Sequence, residues 1–300
     1  MEMRRTLVFQ NPGSLSLHNG QLVYNRPDGE PERVPVEDIG IVIAENSQLS
    51  FTEPLIAHRA DNNVILVCCD AAHCPVSVSM PLKGHCAQGK IVRCQLSTDR
   101  KVKDELWKEI VRRKIQSEKS FLHECGLPFE RLEDILLGFD EIETPQDATS
   151  MEAVAAKYYF DELYGKQFHR DRYGKTPNDY LNYGYTVLRA VVIRELIASG
   201  LFLGEGLYHH NRANEFPLAD DVIEPYRVFV DRIVYELLKR EDMDLNSRTR
   251  QELIKVVSAE TRIKGFRHSL SDAIRMTAGS LMKIFTGEAE ISDLVYPDFG

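Results

Sequence analysis

The chain has no apolar run approaching the roughly eighteen residues that a membrane-crossing helix needs. Its first residues, MEMRRTLVF, lack the apolar core of a secretory signal. Six cysteines are present, but no CxxC pair repeats, so His73 and Cys74 near Cys69 make only a faint zinc signal. Cys68 and Cys69, in VILVCCD, read instead as small buried hydrophobes. A reduced, intracellular protein is the expectation. No serine-nucleophile motif accompanies the histidines, which argues against a Ser-His-Asp hydrolase. Internal repeats and low-complexity segments are also missing. Positive charge is short as well: the formal net charge is −9. The basic residues are nevertheless segregated. One window holds Lys101, Lys103, Lys108, Arg112, Arg113, Lys114 and Lys119; a second holds Lys166, His169, Arg170, Arg172 and Lys175; a third holds Arg262, Lys264, Arg267, His268 and Arg275. Each alone reads as a solvated face, and the three together permit a surface that tracks phosphates.

What is present is an ordinary globular composition, 43% hydrophobic and 28% charged, over 300 residues, enough for one large or two modest domains. Residues 1–80 read as short strands. Asn19-Gly20 between alternating runs predicts a hairpin of Ser14–Leu17 with Gln21–Tyr24. Val34, Val36 and Ile39–Ile43 suggest a further strand pair. Glu53–Asp61 reads as one short helix, and Asn63–Cys69 and Val76–Met80 as the last strands. Pro81–Lys90 has the composition of a linker. Beyond it the apolar period becomes helical, over 98–124, 129–137, 149–165, 178–200, 217–239, and near 247–257 and 270–286. The expected fold class is therefore α+β with two domains: a small β-sandwich-like unit over 1–82, in the role of scaffold or subunit contact, and a larger all-α unit over 83–300. The candidate chemistry lies in the second.

Two stretches carry that chemistry. In LYHHNRANEFPLADDVIEPYR, residues 207–227, Pro217 suits a first helical turn, and Asp221 and Glu224, three apart, share a helix face. Asp220 projects elsewhere. His209 and His210 precede the helix. A loop imidazole arching over two carboxylates is a good ligand set for a divalent metal working on phosphate oxygens. The same residues also suit a plainer reading, with acids complementing a helix dipole and histidines in a surface loop. In TSMEAVAAKYYFDELYG, residues 149–165, Thr149 or Ser150 reads as the cap, which puts Glu152 in the first turn among small residues that admit a neighbouring helix. Gly184, between Tyr183 and Tyr185 in a long helix, predicts close backbone packing, with both tyrosines in the core.

TSMEAVAAKYYFDELYG, LNYGYTVLRAVVIRE and GLYHHNRANEFPLADDVIEPYR, in that order and spacing, resemble the family of CRISPR-associated spacer-acquisition integrases, the catalytic subunit of the adaptation complex. Glu in the E-P-Y-R position and the short β domain resemble the type II branch; Val228 departs from the proline usual there. The resemblance implies a metal site of Glu152, His209 and Glu224 holding Mg²⁺ or Mn²⁺, with Asp221 as a second acid in or beside it. It implies a prokaryotic cytoplasmic enzyme that joins the 3′-hydroxyl ends of short spacer DNA into a CRISPR repeat by transesterification. It also implies a homodimer through the β domains, a heterohexamer with a small ferredoxin-like CRISPR-associated partner, and involvement of the type II effector nuclease and an accessory protein. Candidate contacts to double-stranded DNA are Arg170, Arg172, Arg189, Arg194 and Arg227, the last alternatively orienting a ligand carboxylate. Two other readings stay open at this point: a metal-dependent nuclease acting on branched DNA in repair, and a non-catalytic DNA-binding scaffold.

Overall fold

Asn19 and Gly20 both have positive φ, 49° and 74°, the geometry that a two-residue hairpin turn requires. They join β2 (Gly13–His18) to β3 (Gln21–Asn25) in register, Leu17 opposite Leu22. In a computed structural model that describes residues 4–27, 29–70, 75–82, 84–172, 174–209 and 214–299, this hairpin is the centre of one of two four-stranded sheets. β4 (Glu32–Pro35) pairs with β3, and β6 (Leu49–Phe51) runs parallel to β2. The second sheet has the order β1 (Arg5–Phe9), β5 (Ile39–Ala44), β7 (Ile65–Cys69), β8 (Pro75–Ser79), with α1 (Glu53–Asp61) leading into β7. The strand pair expected between Val34 and Ile43 does not form. A 3-10 turn at Val36–Asp38 sends β4 to one sheet and β5 to the other.

β5 is buried along its whole length, as a strand covered on both faces must be. Val42 and Ala44, with Leu66 of β7, face Leu15, Leu22 and Leu55 between the sheets and α1. Ile41 and Ile43, with Ile65 and Val67, face the helices instead. The second sheet therefore belongs to two cores.

The remainder is mostly helical: α2 (Gln88–Ser97), α3 (Arg100–Cys125), α4 (Glu130–Leu137), α5 (Pro145–Tyr164), α6 (Asn178–Ala198), α7 (Pro217–Val222), α8 (Arg227–Lys239), α9 (Ser247–Ile254) and α10 (Leu270–Phe285). It adds a hairpin, β9 (Glu260–Ile263) with β10 (Phe266–Ser269), that the expected all-α unit did not include. α2 begins within the expected linker. α7 and α8 are not one smooth helix, because a 3-10 turn at Glu224–Tyr226, with Pro225 inside it, separates them. The cap of α5 lies five residues before Thr149, the earlier of the two expected, Thr149 and Ser150. Thr144 is the cap, its hydroxyl accepting from the Asp147 N–H at 3.1 Å, and Pro145 takes the first position. Glu152 is therefore two turns into α5, beyond the reach of the helix N-terminal dipole. Among the described residues no helix is long and apolar enough to cross a membrane.

α6 is the spine of the helical part, and Gly184 sets how closely α8 and α9 approach it. A Cβ at Gly184 would fall far inside contact with a Val230 methyl and 3.5 Å from Leu253 Cδ2. Overpacking of this kind costs about 1–3 kcal/mol, against about 1 kcal/mol returned by replacing glycine inside a helix. Gly184→Ala is expected to lower unfolding stability by about 1–2 kcal/mol in urea titrations, and that cost is expected to vanish in a Val230→Ala background. An equal cost in both backgrounds would remove Val230 as the cause.

Candidate active site

Trp107, Lys114 and Glu118 recur at helical spacing on one face of α3, and Glu152 and Tyr159 do the same on α5. The two faces pack together, and the Glu224–Tyr226 turn closes against α3. Lys114 lies where they meet. Its ammonium is ion-paired with the Glu152 carboxylate and stands 2.8 Å from Glu224 Oε2. The other Glu224 oxygen accepts from Arg227 Nη2 at 2.9 Å. Burial alone would push Glu224 up, but Arg227 and Lys114 prevail and bring it down to about 2. Burial likewise disfavours the Lys114 ammonium, and Glu224 and Glu152 overcome it, holding Lys114 charged above the ordinary lysine range. Glu118, one turn along α3, lacks such a partner. Burial pushes it up to about 8, only partly opposed by Lys114, and its Oε2 has no hydrogen bond.

His209 is held from beneath. Asp221 is fully buried, and its carboxylate accepts from the backbone N–H groups of Leu207 at 2.5 Å, Tyr208 at 3.2 Å and His209 at 3.3 Å. Its Oδ1 also lies 2.6 Å from His209 Nδ1. Gly206 makes this wrap possible, because a Cβ there would stand 2.8 Å from Asp221 Oδ2. With Nδ1–H given to Asp221, the imidazole presents Nε2 outward. The hydrogen bond to Asp221 raises the His209 pKa against the opposing effect of burial. Trp107 completes the seat: it stacks on Tyr208 at 5.0 Å and meets the His209 ring edge-on at 5.4 Å, while its indole N–H donates to Thr149 at 3.0 Å.

Four of the five candidate arginines, Arg170, Arg172, Arg189 and Arg227, line one cavity of about 540 Å³ together with Asn182 and Tyr185. The Tyr185 ring lies 5.3 Å from the Arg170 guanidinium and 4.7 Å from that of Arg227. Its hydroxyl donates to Asp231, as does that of Tyr159 at 2.9 Å. Arg189 is clamped by Asp220 at 2.6 and 2.9 Å, so Asp220 does project away from the other acids. Arg227 belongs to both the cavity and the Glu224 carboxylate, which makes cavity and acid pair adjoining parts of one site. Arg194 is a correction to the expected DNA contacts: it is buried, paired with Glu195, and donates to the Asn63 carbonyl at the sheet. His210 lies outside the described residues. Lys114 and Trp107 went unassigned from the sequence. Lys114 is one lysine in a basic window, and only its α3 face, shared with Trp107 at seven-residue spacing, could have singled it out.

Glu152, Glu224 and His209 offer oxygen and nitrogen donors of the kind Mg²⁺ or Mn²⁺ accepts. Among the described residues no three His, Cys, Asp or Glu side chains form a ready-made metal cage. A cation is nevertheless present between the two glutamates, in the form of Lys114, and Glu224 Oε2 is buried without a properly angled hydrogen bond. Charge and donor chemistry both fit a divalent ion. Asp221, committed to the loop, suits the outer role of orienting His209.

Residues 7–269 match the family model described as CRISPR associated protein Cas1. A CRISPR-associated endonuclease Cas1 from Neisseria meningitidis serogroup C is 36% identical over 274 residues, 90% of this chain and 88% of that one. Among solved structures, a casposase bound to integration product superposes with a TM-score of 0.80 at 19% identity, covering 96% of this chain and 92% of that one. A Cas6-RT-Cas1–Cas2 complex superposes with a TM-score of 0.77 at 16% identity, covering 98% of this chain and 36% of that one. The two structural likenesses are likenesses of fold.

The buried charges generate two expectations. With its folded pKa near 8 against an ordinary 4.5, Glu118 keeps in the folded chain a proton that the unfolded chain has lost, so stability falls as pH rises through that window. Glu224 has the opposite sign: it stabilises above pH 4.5, and that contribution is lost as pH falls toward 2. In metal-free buffer, Glu118→Gln is expected to match the parent near pH 5 and to be more stable at pH 8, by up to about 5 kcal/mol. Parallel pH slopes in urea titrations would show that Glu118 is not the titrating group. Second, Trp107 is the chain's single tryptophan. Its fluorescence is expected to fall as the neighbouring imidazole protonates, with a midpoint above 6.5, and Asp221→Asn is expected to move that midpoint down. An unmoved midpoint would detach the emission from the His209–Asp221 pair.

Proposed function

This chain belongs to the Cas1 family of CRISPR-associated proteins, and on that premise we propose that it is the metal-dependent DNA integrase and endonuclease of CRISPR adaptation. The observation that supports this most is the junction at Glu224. One oxygen faces the Lys114 position shared with Glu152, and the other is held by Arg227 at the edge of an arginine-lined cavity. A site that must bring a divalent ion and a phosphodiester together needs these two surfaces side by side.

Glu152, His209 and Glu224 would hold Mg²⁺ or Mn²⁺. When bound, the ion supplies charge neutralisation at phosphate oxygens and a more acidic hydroxyl at the attacking 3′ end. The chain's own residues do the positioning. Asp221 and Trp107 fix the His209 ring and leave Nε2 free to serve as the nitrogen donor. Arg227 holds Glu224 in one orientation and offers charge toward the cavity. Arg170, Arg172 and Arg189 bind the DNA backbone, which carries no sequence information by itself. In joining, the spacer 3′-oxygen forms a P–O bond as the repeat strand's P–O bond breaks, and the proton leaves the attacking hydroxyl for the departing one by way of solvent. Water in place of the hydroxyl gives cleavage.

The partners follow the same reading: double-stranded DNA, a second copy through the β domains, and a small ferredoxin-like CRISPR-associated protein in a heterohexamer. A type II system, with its effector nuclease and accessory protein, fits the short β domain, and the cytoplasm of a prokaryote is the proposed location. The Cas1–Cas2 assembly among the structural likenesses supports the partner.

The purified chain, its small partner, Mn²⁺, a short duplex with free 3′-hydroxyls and a supercoiled plasmid carrying a repeat are expected to give joined products. Glu152→Gln and His209→Ala are expected to lose more than the roughly 10–100-fold that removal of an outer metal partner costs. Arg170→Ala is expected instead to weaken DNA binding and to flatten its salt dependence. Cleavage without joining would favour a nuclease acting on branched DNA. Undiminished joining by both ligand variants would leave the acids structural.

A further inference from the structure

We propose that Lys114 makes metal loading of this site depend on DNA: its ammonium fills the place between Glu152 and Glu224 until a backbone phosphate arrives to take that charge. The inference rests on the reading of Glu152, His209 and Glu224 as metal ligands.

Glu152 and Glu224 carry two negative charges into a buried setting, and Lys114 and Arg227 carry two positive ones. Without metal the group is balanced. A divalent ion entering between the same carboxylates meets two cations and adds a double positive charge to these four side chains in a buried, low-dielectric place. Two backbone phosphates restore the balance, and the cavity adjoining Glu224 presents Arg170 and Arg172 beside Arg227, with Arg189 already paired to Asp220. Geometry points the same way. Lys114 is 8% exposed, and its charged end touches the two candidate ligands themselves. The ion and the ammonium therefore cannot both keep their full contacts with Glu152 and Glu224. A lysine has a four-carbon flexible stem and a compact charge with three donors, which lets it exchange one oxygen partner for another without moving its helix. Arg227 cannot do the same, since its planar fork is fixed between Glu224 and the Tyr185 ring. One other acceptor is within reach. Glu118, a turn away on α3, has an unpartnered buried oxygen, and a shift of Lys114 toward it would admit metal with no need for DNA. The two routes differ in what DNA does to metal affinity.

The experiment measures Mn²⁺ affinity by counting free Mn²⁺ in electron paramagnetic resonance. It is run with and without a short duplex whose 3′ ends are dideoxy, so that no joining occurs. Glu152→Gln, with and without the same duplex, gives the blank for Mn²⁺ held by DNA alone. In the parent chain the duplex is expected to tighten Mn²⁺ at least tenfold. Lys114→Met is expected to bind Mn²⁺ at least tenfold tighter than the parent without DNA, and to gain little from the duplex. Lys114→Gln is the second variant, since it removes the charge and keeps an N–H donor on a side chain one atom shorter. Should neither variant fold, as judged by circular dichroism, the duplex effect on the parent chain decides alone. No tightening by the duplex in the parent overturns the proposal in favour of the internal exchange with Glu118. Folded Lys114 variants that bind Mn²⁺ no tighter than the parent overturn it as well. Mn²⁺ binding undiminished in Glu152→Gln is a different failure, and it removes the metal-site reading on which the proposal stands.

Discussion

A single ammonium, that of Lys114, joins three parts of the chain that are far apart in sequence. It is rooted in α3, paired with Glu152 of α5, and in reach of Glu224 in the turn before α8. Charges this deeply placed are costly to bury and tolerable only when paired. That requirement propagates outward. Glu224 needs Arg227 as well as Lys114, and Arg227 in turn lies against the Tyr185 ring, whose hydroxyl is committed to Asp231. Glu118 has no cation to itself and takes a proton instead. The helical core is thus organised around a short chain of charges, where apolar contact alone would have been more stable.

The histidine is held by other means. The His209 ring is held by Asp221 and Trp107. Asp221 accepts three backbone N–H groups in addition to the imidazole, so one buried carboxylate fixes both the course of the loop and the tautomer of the ring. Two devices with separate supports therefore meet at the site.

Much of this was legible in the sequence, and the omissions have physical reasons. Asn19-Gly20 specified its hairpin because few residue pairs accept two positive φ angles. Gly184 announced close packing because it stands in a helix that would otherwise prefer any other residue. The start of α5 was misplaced because Thr144, Thr149 and Ser150 all offer a capping hydroxyl, and Pro145 decided among them. β6, three residues long, and α2, which opens on Gln88-Gly89-Lys90, have too little pattern to stand out. The arginine cavity was foreseen as a list of residues and never as a cavity, since helix spacing does not say which helices will face one another. Arg194 shows the cost of that: it shares α6 with Arg189 but turns to Asn63, not to the cavity. Lys114 was hidden by its company, because a lysine among lysines on a long helix reads as solvated surface.

α6 also ties the site to the sheets. Tyr183 donates to Glu45 at the end of β5, where Arg250 of α9 binds the same carboxylate at 3.1 Å. Two residues on, Tyr185 turns to Asp231 and the cavity, and a turn later Arg189 reaches Asp220. Near the helix end Arg194 returns to the loop before β7. Glu45 is buried and ion-paired with Arg250, so it is held by its partners and holds them in turn; breaking such a pair costs about 3–5 kcal/mol. The consequence is geometric. The sheets and the arginine cavity are tied together, because one helix carries both sets of contacts. A flexible linker between sheet and helices, such as the composition of 81–90 first suggests, would not give that coupling.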